Sequence, residues 1–265
     1  MLIIAERINT SRKRIAEAVR GRDADFIRRE AIRQTEAGAG YIDANAGTSV
    51  AHETNDLAWL TETIQSAVEV PVCVDSANPK AIEAALKVHK GDAMVNSITG
   101  EAERIAGILP LVVEHQTRVV ALTMDDSGMP ESADDRLRVA ETLLKKLTAQ
   151  GVEADRIYFD PIIRPICTNA DQTRAVLDAT RRIMSQFEGV HTVCGLSNVS
   201  FGLPRRNLLN RSLLALLIGA GLDTVIIDPT EPDMRSTLFA AEALVGRDEF
   251  CMRYITAERE GTLEG

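Results

Sequence analysis

Aromatic side chains are scarce in this chain: one tryptophan, three tyrosines and six phenylalanines make up 4 % of its 265 residues. That excludes a row of stacking platforms for single-stranded nucleic acid. Basic residues are also in deficit, 30 Lys and Arg against 39 Asp and Glu, for a net charge of −9. Neutralising a phosphate backbone needs a clustered basic surface, and Arg205-Arg206 is the longest basic cluster near a plausible site. Cysteine occurs only at positions 73, 167, 194 and 251, with no CxxC pair and no Cys/His run at zinc spacing. Cys73 and Cys194 sit in apolar runs, where a free thiol packs as a small hydrophobe, so a reducing, cytoplasmic setting is predicted. No run approaches the ~18 apolar residues of a membrane-spanning helix. The opening MLIIAERIN lacks the basic region and the longer apolar stretch of a signal peptide. From about residue 253 to 265 the chain reads as a frayed tail or an expression scar.

What is present is a regular alternation. Short β-rich runs recur as LIIAER from Leu2, YIDANA from Tyr41, PVCVDS from Pro71 and AMVNSI from Ala93. They continue as RVVALTM from Arg118, RIYFDP from Arg156, HTVCGLSN from His191 and TVIIDP from Thr224. Segments with helical apolar spacing separate them, as in Leu137, Ala140, Leu143, Leu144 and Leu147. Ser132 with Asp135 three residues on predicts a capping box at the start of that helix. The segment after Asn207 is apolar nearly all round, which predicts a helix buried by more than one neighbour or used as a subunit interface. Eight such units without a linker or composition shift predict an α/β fold of the (β/α)8 TIM barrel type, a single domain over 1–265. An open doubly wound sheet would carry a phosphate fingerprint after an early strand. The nearest candidate, Gly38-Ala39-Gly40, precedes the second strand and lacks the third glycine.

Acids and amides stand where these strands run out: Glu6-Arg7, Asp43 and Asn45, Asp75-Ser76, Asn96-Ser97, Thr123, Asp160, Ser197-Asn198 and Asp228. In a barrel all strand C-termini open on one face, so these side chains are expected to surround one cavity. One polar strand end is an ordinary loop feature; nearly all eight together predict a functional site, with a member or two capping loops. His52, His89, His115 and His191 miss the strand ends, His89 and His115 reading as solvated helix positions. That leaves no Ser-His-Asp triad. No lysine sits at a strand end to form a Schiff base. With no histidine ligand and no close DxD pair, no metal site is predicted. Carboxylates with carboxamides suit a neutral planar heterocycle rich in N–H groups: Asp accepts two parallel hydrogen bonds, and Asn both donates and accepts. A pterin presents such an edge.

Taken in order, LIIAERIN, DANAG, PVCVDSAN, AMVNSITG, YFDP and GLSNVSFGLP resemble the pterin-binding barrel of the methyltetrahydrofolate:corrinoid protein methyltransferases. They are also similar to the folate domain of cobalamin-dependent methionine synthase. The resemblance runs from Leu2 to about Met252. It implies a homodimeric methyltransferase that moves a methyl group between N5 of tetrahydrofolate, the pterin substrate, and the cobalt of a corrinoid (cobalamin). No DxHxxG signature surrounds any histidine, so the corrinoid is expected on a separate partner protein. As catalytic residues the resemblance implies Asn198 at N5, with Asp75 and Asp160 on the pterin. As further pterin contacts it implies Asn96, Gly195 and Ser197, and with them Glu6, Asn9 and Asn45.

A carboxamide at N5 has a physical reason: it hydrogen-bonds the nitrogen as the methyl leaves without placing charge before an electron-rich cobalt. An oxyanion-hole donor of comparable kind is worth ~10²–10³-fold. The glycines beside it leave an open face for a large corrinoid. Two other functions use the same barrel, a dihydropteroate synthase-like pterin enzyme and a non-catalytic folate-binding or corrinoid-docking barrel. The synthases carry a Ser-Arg-Lys type motif on strand seven and a basic residue after strand eight, where this chain has Ser197-Asn198-Val199 and Ile227-Asp228-Pro229. Arg205-Arg206 reads either as a contact for the folate tail or an acidic partner face, or as a solvated loop.

Overall fold

A computed structural model of the chain describes residues 1–48, 51–169 and 171–263. Eight strands carry the architecture: β1 (Leu2–Asn9), β2 (Tyr41–Asn45), β3 (Val72–Asp75), β4 (Met94–Thr99), β5 (Arg118–Leu122), β6 (Ile157–Asp160), β7 (His191–Gly195) and β8 (Thr224–Ile227). All are parallel and pair in sequence order, and β8 returns to β1 with Leu2 opposite Thr224 and Ile4 opposite Ile226, closing a barrel.

The pleat decides what faces inward. Ile4, Tyr41, Cys73, Met94, Val120, Tyr158 and Val193 form one buried apolar cluster, the plug of the barrel. Two residues further along their strands stand Glu6, Asp43, Asp75, Asn96, Leu122, Asp160 and Gly195. An almost wholly polar layer thus lies on an apolar one, at the end of the barrel where the strands finish. The alternate strand residues, such as Ala5, Ile42, Val74, Val95, Ala121 and Phe159, pack outward against the helices.

The helical layer comprises α1 (Lys13–Gly21) and α2 (Ala24–Glu36) after β1, then α3 (Glu53–Gln65), α4 (Pro79–Val88), α5 (Ala102–Glu114) and α6 (Ala133–Ala149). It continues with α7 (Gln172–Gln186), α8 (Arg206–Ala220) and α9 (Pro232–Leu244), each following its strand. In α6 the capping box forms as predicted: Ser132 accepts from the Asp135 N–H, and Asp135 accepts from the Ser132 N–H. Leu137, Ala140, Leu143 and Leu147 face the sheet, each large side chain contributing about 1.5–3 kcal/mol of burial. Asn78 caps α4, with Pro79 at its first turn.

The helix after Asn207 is buried by more than one neighbour as expected, packing on α7 and α9 through Leu213, Leu214, Leu217 and Ile218 of α8, while Leu208 and Leu216 face outward. Three expectations need correction. Strand one does not end at Glu6-Arg7 but continues to Asn9, through an irregularity in its pairing with β2 between Ala5 and Ile8. His89 is no solvated helix residue. It follows α4 half-buried, accepts the Val72 N–H at 3.0 Å, and is held below the ordinary histidine value by burial. In the stretch read as a tail, Met252–Arg259 form α10, whose Arg253 pairs with Glu242 at 2.9 Å; Glu264 and Gly265 lie outside the described residues.

Candidate active site

The polar layer is knit together on one side of the barrel mouth. Asn96 donates from Nδ2 to Asp43 Oδ1 at 3.3 Å, and Asn45 donates from Nδ2 to Asp75 Oδ2 at 2.9 Å. Asp43 and Asp75 are hydrogen-bonded to each other, and the Cys73 thiol below them bonds to Asp43. Asp43 is 2 % exposed; burial, and then the neighbouring Asp75 charge, push its carboxyl well above the usual range. Burial raises Asp75 to about 6 against the opposing hydrogen bonds from Asn45 and Asp43. Two carboxyls this close do not both ionise readily, so the pair shares a proton, and the deeper burial of Asp43 favours it there.

Across the mouth, Asp160 ends β6. Burial lifts its carboxyl to about 7, against the Ile162 N–H donated to Oδ1 at 2.7 Å and the Arg136 charge. Its Oδ2 accepts no hydrogen bond among the described residues. Glu6, on β1, likewise has no hydrogen-bond partner among the described residues. Burial raises it to about 7, with Arg12 pulling down and Asp228 and Glu231 pushing up. It lines a cavity of about 170 Å³ with Arg12, Ser197, Arg206, Asp228 and Met234.

Strand β7 gives way to a short 3-10 turn over Leu196–Asn198. A Cβ placed on Gly195 would meet nothing within 4 Å, so the inner face there is open. Asn198 is exposed, and its carboxamide makes no side-chain hydrogen bond among the described residues. The turn is braced from below. Arg206 donates to the Ser197 carbonyl and, at 3.1 Å, to Ser200 Oγ, and buried Ser200 bonds Asn210 at 2.7 Å. Arg206 is exposed but tied by these bonds to its own turn, and Arg205 is exposed in the left-handed region at φ 49°.

Other strand-end residues serve their own loops. Asn9 accepts the Ser11 N–H at 2.9 Å, and Ser76 donates to Glu53 at 2.6 Å. Thr123 donates to the Asp160 carbonyl at 3.0 Å. Asp228 accepts Arg7 at 2.7 Å and both Thr230 groups, which outweigh burial and hold it below the usual range. Of the residues named from sequence, the barrel thus brings Glu6, Asn45, Asp75, Asn96, Asp160 and Gly195 to one inner layer. Ser197 and Asn198 stand at its β7 rim, and Asn9 is turned to its loop. Asp43, identified only as a strand end, lies at the centre of the network; its spacing two residues after Tyr41 was the available signal.

A cavity of about 590 Å³ opens at the opposite end, among Asp92, His115, Thr117 and Arg156. It holds none of the groups above, and barrels build active sites at the other face. No group of three or more His, Cys, Asp or Glu placed to hold a metal ion occurs among the described residues.

Residues 5–228 match the pterin-binding enzymes. The chain belongs to that family. It is 34 % identical, over 99 % of this chain and 98 % of the relative, to the methylcorrinoid:tetrahydrofolate methyltransferase of Eubacterium limosum. It is 30 % identical to the methionine synthase of Mycobacterium tuberculosis over 86 % of this chain, which spans only 20 % of that longer enzyme. Among solved structures, the dihydropteroate synthase of Vibrio fischeri superposes with a TM-score of 0.73 at 16 % identity, covering 93 % of each chain. That of Yersinia pestis gives 0.71 at 15 %, covering 92 % of this chain and 94 % of the other. At such identities the pterin-binding barrel is what they share. At the end of β8, Arg7 and Arg12 are drawn to Asp228 at 2.7 and 3.8 Å.

Proposed function

We propose that this pterin-binding enzyme is a methyltransferase that moves a methyl group between N5 of tetrahydrofolate and the cobalt of a corrinoid held by a separate protein. The observation that carries the reading is the layer of Asp43, Asp75, Asn96 and Asp160 at the β-strand ends, beside an open Gly195 and an unpartnered Asn198. The full-length similarity to the Eubacterium limosum enzyme supports it, and that enzyme's name runs from methylcorrinoid to tetrahydrofolate.

The residues suit a pterin. Asp160 Oδ2 and the ionised Asp75 accept from the amino and ring N–H groups, and Asn96 faces the same edge. Asn198 hydrogen-bonds N5 as the methyl arrives and the N5 proton departs, or as the reverse occurs. The open backbone at Gly195 lets the ring lie against β7. Glu6 and Ser197 border the ring, and Asn45 acts by fixing Asp75. When bound, the partner's corrinoid supplies the cobalt that carries the methyl group.

The test is visible absorbance of the protein with methylcob(III)alamin and tetrahydrofolate under anaerobic conditions, repeated with corrinoid proteins in place of the free cofactor. Demethylation of the corrinoid, slowed ~10²–10³-fold by Asn198→Ala at unchanged folate affinity, is expected. Folate binding with no demethylation by either donor would leave a binding barrel. Condensation of a pterin pyrophosphate with p-aminobenzoate would instead make it a synthase.

The same reading includes a homodimer in a reducing, cytoplasmic compartment. Four free cysteines fit that compartment, and no described helix is long and apolar enough to cross a membrane. Outward Leu208 and Leu216 on α8, and Leu244 and Phe250 at 87 and 82 % exposure beyond it, supply apolar surface for a subunit contact. Light scattering should return twice the 28.9 kDa chain mass; a single-chain mass at micromolar concentration would refute the dimer.

A further inference from the structure

Arg136 is the largest side chain sealed inside this protein, with no measurable exposure, and no acid lies within ion-pair distance of it among the described residues. It projects from the first turns of α6 and donates only to neutral acceptors. Nε reaches the Pro161 carbonyl, Nη2 the Ile162 carbonyl at 3.2 Å and Gln172 Oε1 at 3.0 Å, and Nη1 the Ser132 carbonyl at 2.9 Å. Burying a cation without a counter-charge costs several kcal/mol, so a merely space-filling role would be better served by an apolar residue. The nearest payload is a turn of unusual shape. Ile162, two residues after the end of β6, has φ of 58°, a region a β-branched residue enters only at a cost of about 1–2 kcal/mol. That conformation turns the Ile162 N–H back onto Asp160 Oδ1 at 2.7 Å.

We propose that Arg136 is a positioning residue for Asp160: its guanidinium grips the two carbonyls of the Pro161-Ile162 turn and so fixes the N–H that orients the carboxylate toward the pterin. The proposal rests on the folate reading above for its functional consequence. The planar fork matters because one group must meet the carbonyls of two successive residues while also engaging Gln172, which an ammonium on a flexible stem does less well. The electrostatic part follows from enclosure: the Arg136 charge opposes the effect of burial on Asp160. From the other elements packed around Asp160, Thr123 beyond β5 meets only the backbone carbonyl, and Cys194 of β7 is a buried thiol pushed upward. Arg136 itself is faced by Arg164, Asp135 and Glu131.

Gln172 offers a clean probe, because it is buried and accepts from Arg136 at 3.0 Å while donating to the Glu131 carbonyl at 3.1 Å. Gln172→Glu keeps the side-chain length and sets an acid against the guanidinium, diverting its charge from Asp160, at the loss of the donor that meets the Glu131 carbonyl and carboxylate. Tetrahydrofolate affinity should be measured against pH for wild type, Gln172→Glu, Arg136→Gln and Arg136→Lys, with circular dichroism reporting folding. Wild-type binding is expected to strengthen as pH rises through about 7. The midpoint should move up by about one pH unit in Gln172→Glu and in Arg136→Gln. Arg136→Lys should hold the wild-type midpoint and bind several-fold more weakly, because the charge stays and the fork is lost.

Unmoved midpoints in folded Gln172→Glu would overturn the proposal, even if Arg136→Gln does not fold. Titration of the Asp160 carboxyl by carbon-13 NMR in the ligand-free protein gives the same comparison without folate. Should wild type fail to bind tetrahydrofolate, the function falls, and the carboxyl titration still decides whether Arg136 governs Asp160.

Discussion

Two carboxyl groups and two carboxamides crowd one side of the barrel mouth, and the proton that makes them compatible sits on Asp43. Protonated Asp43 has its carbonyl oxygen free to accept from Asn96 and a hydroxyl to give to Asp75. An asparagine has the same donor and acceptor, so Asp43→Asn should fold normally and keep tetrahydrofolate affinity within about threefold. Asp43→Ala removes both, leaving the half-buried Asn96 Nδ2 without its acceptor and Asp75 with Asn45 alone, a loss of about 1–3 kcal/mol. Calorimetry with denaturant unfolding checks both, and a tenfold loss of affinity in the asparagine variant would place the proton elsewhere. At this scale the sequence was partly legible. Asp75, Asn96 and Asp160 stand out because each directly ends an apolar run. Arg136 does not: it sits on a helix otherwise patterned for the core, and apart from Gln172 its acceptors are backbone carbonyls that leave no trace in residue identity.

Among the elements, β7 shows how a strand's period becomes a binding surface. Val193 belongs to the apolar plug, and Gly195, two residues on, falls in the polar layer with no side chain at all. Since a Cβ there meets no protein atom and the backbone lies at ordinary negative φ, Gly195→Ala should leave Tm within about 2 °C of wild type. The added methyl projects into the space assigned to the pterin, so tetrahydrofolate affinity should fall at least tenfold in the same titration. Unchanged affinity would move the ring away from β7. The strands, α6 with its capping box and the barrel order were readable because periodicity and caps are local signals. The continuation of β1 to Asn9, the half-buried His89 and the bracing of the β7 turn by Arg206, Ser200 and Asn210 were not, since each depends on contacts between segments distant in sequence or on pairing geometry.

For the whole molecule, a mouth built this way sets a stability cost that varies with pH. Glu6, Asp75 and Asp160 have folded-state values of about 7, 6 and 7, above the ordinary carboxyl range near 4 that they regain on unfolding. Between those limits the folded protein binds more protons than the unfolded chain, so stability must fall as pH rises from about 4 to about 7. His89, held low by burial, works in the opposite sense, but its contribution is complete by about pH 6.5. The ligand-free protein should therefore melt several degrees lower at pH 8 than at pH 5, and Asp160→Asn should flatten that slope. A slope identical in the variant would show that Asp160 titrates normally. Tetrahydrofolate should restore stability most at the higher pH, where it meets the ionised carboxylates.

The plug of Ile4, Tyr41, Cys73, Met94, Val120, Tyr158 and Val193 also makes the barrel a blind vessel with a single doorway. Nothing passes through the floor, so the small reactant and the large one use the same entrance. On the proposed reading, a folate on the deeper layer must be in place before the partner's corrinoid covers it, and it cannot depart until that cover lifts. Queueing at one door, rather than any residue at the site, would then govern the order of arrival and departure.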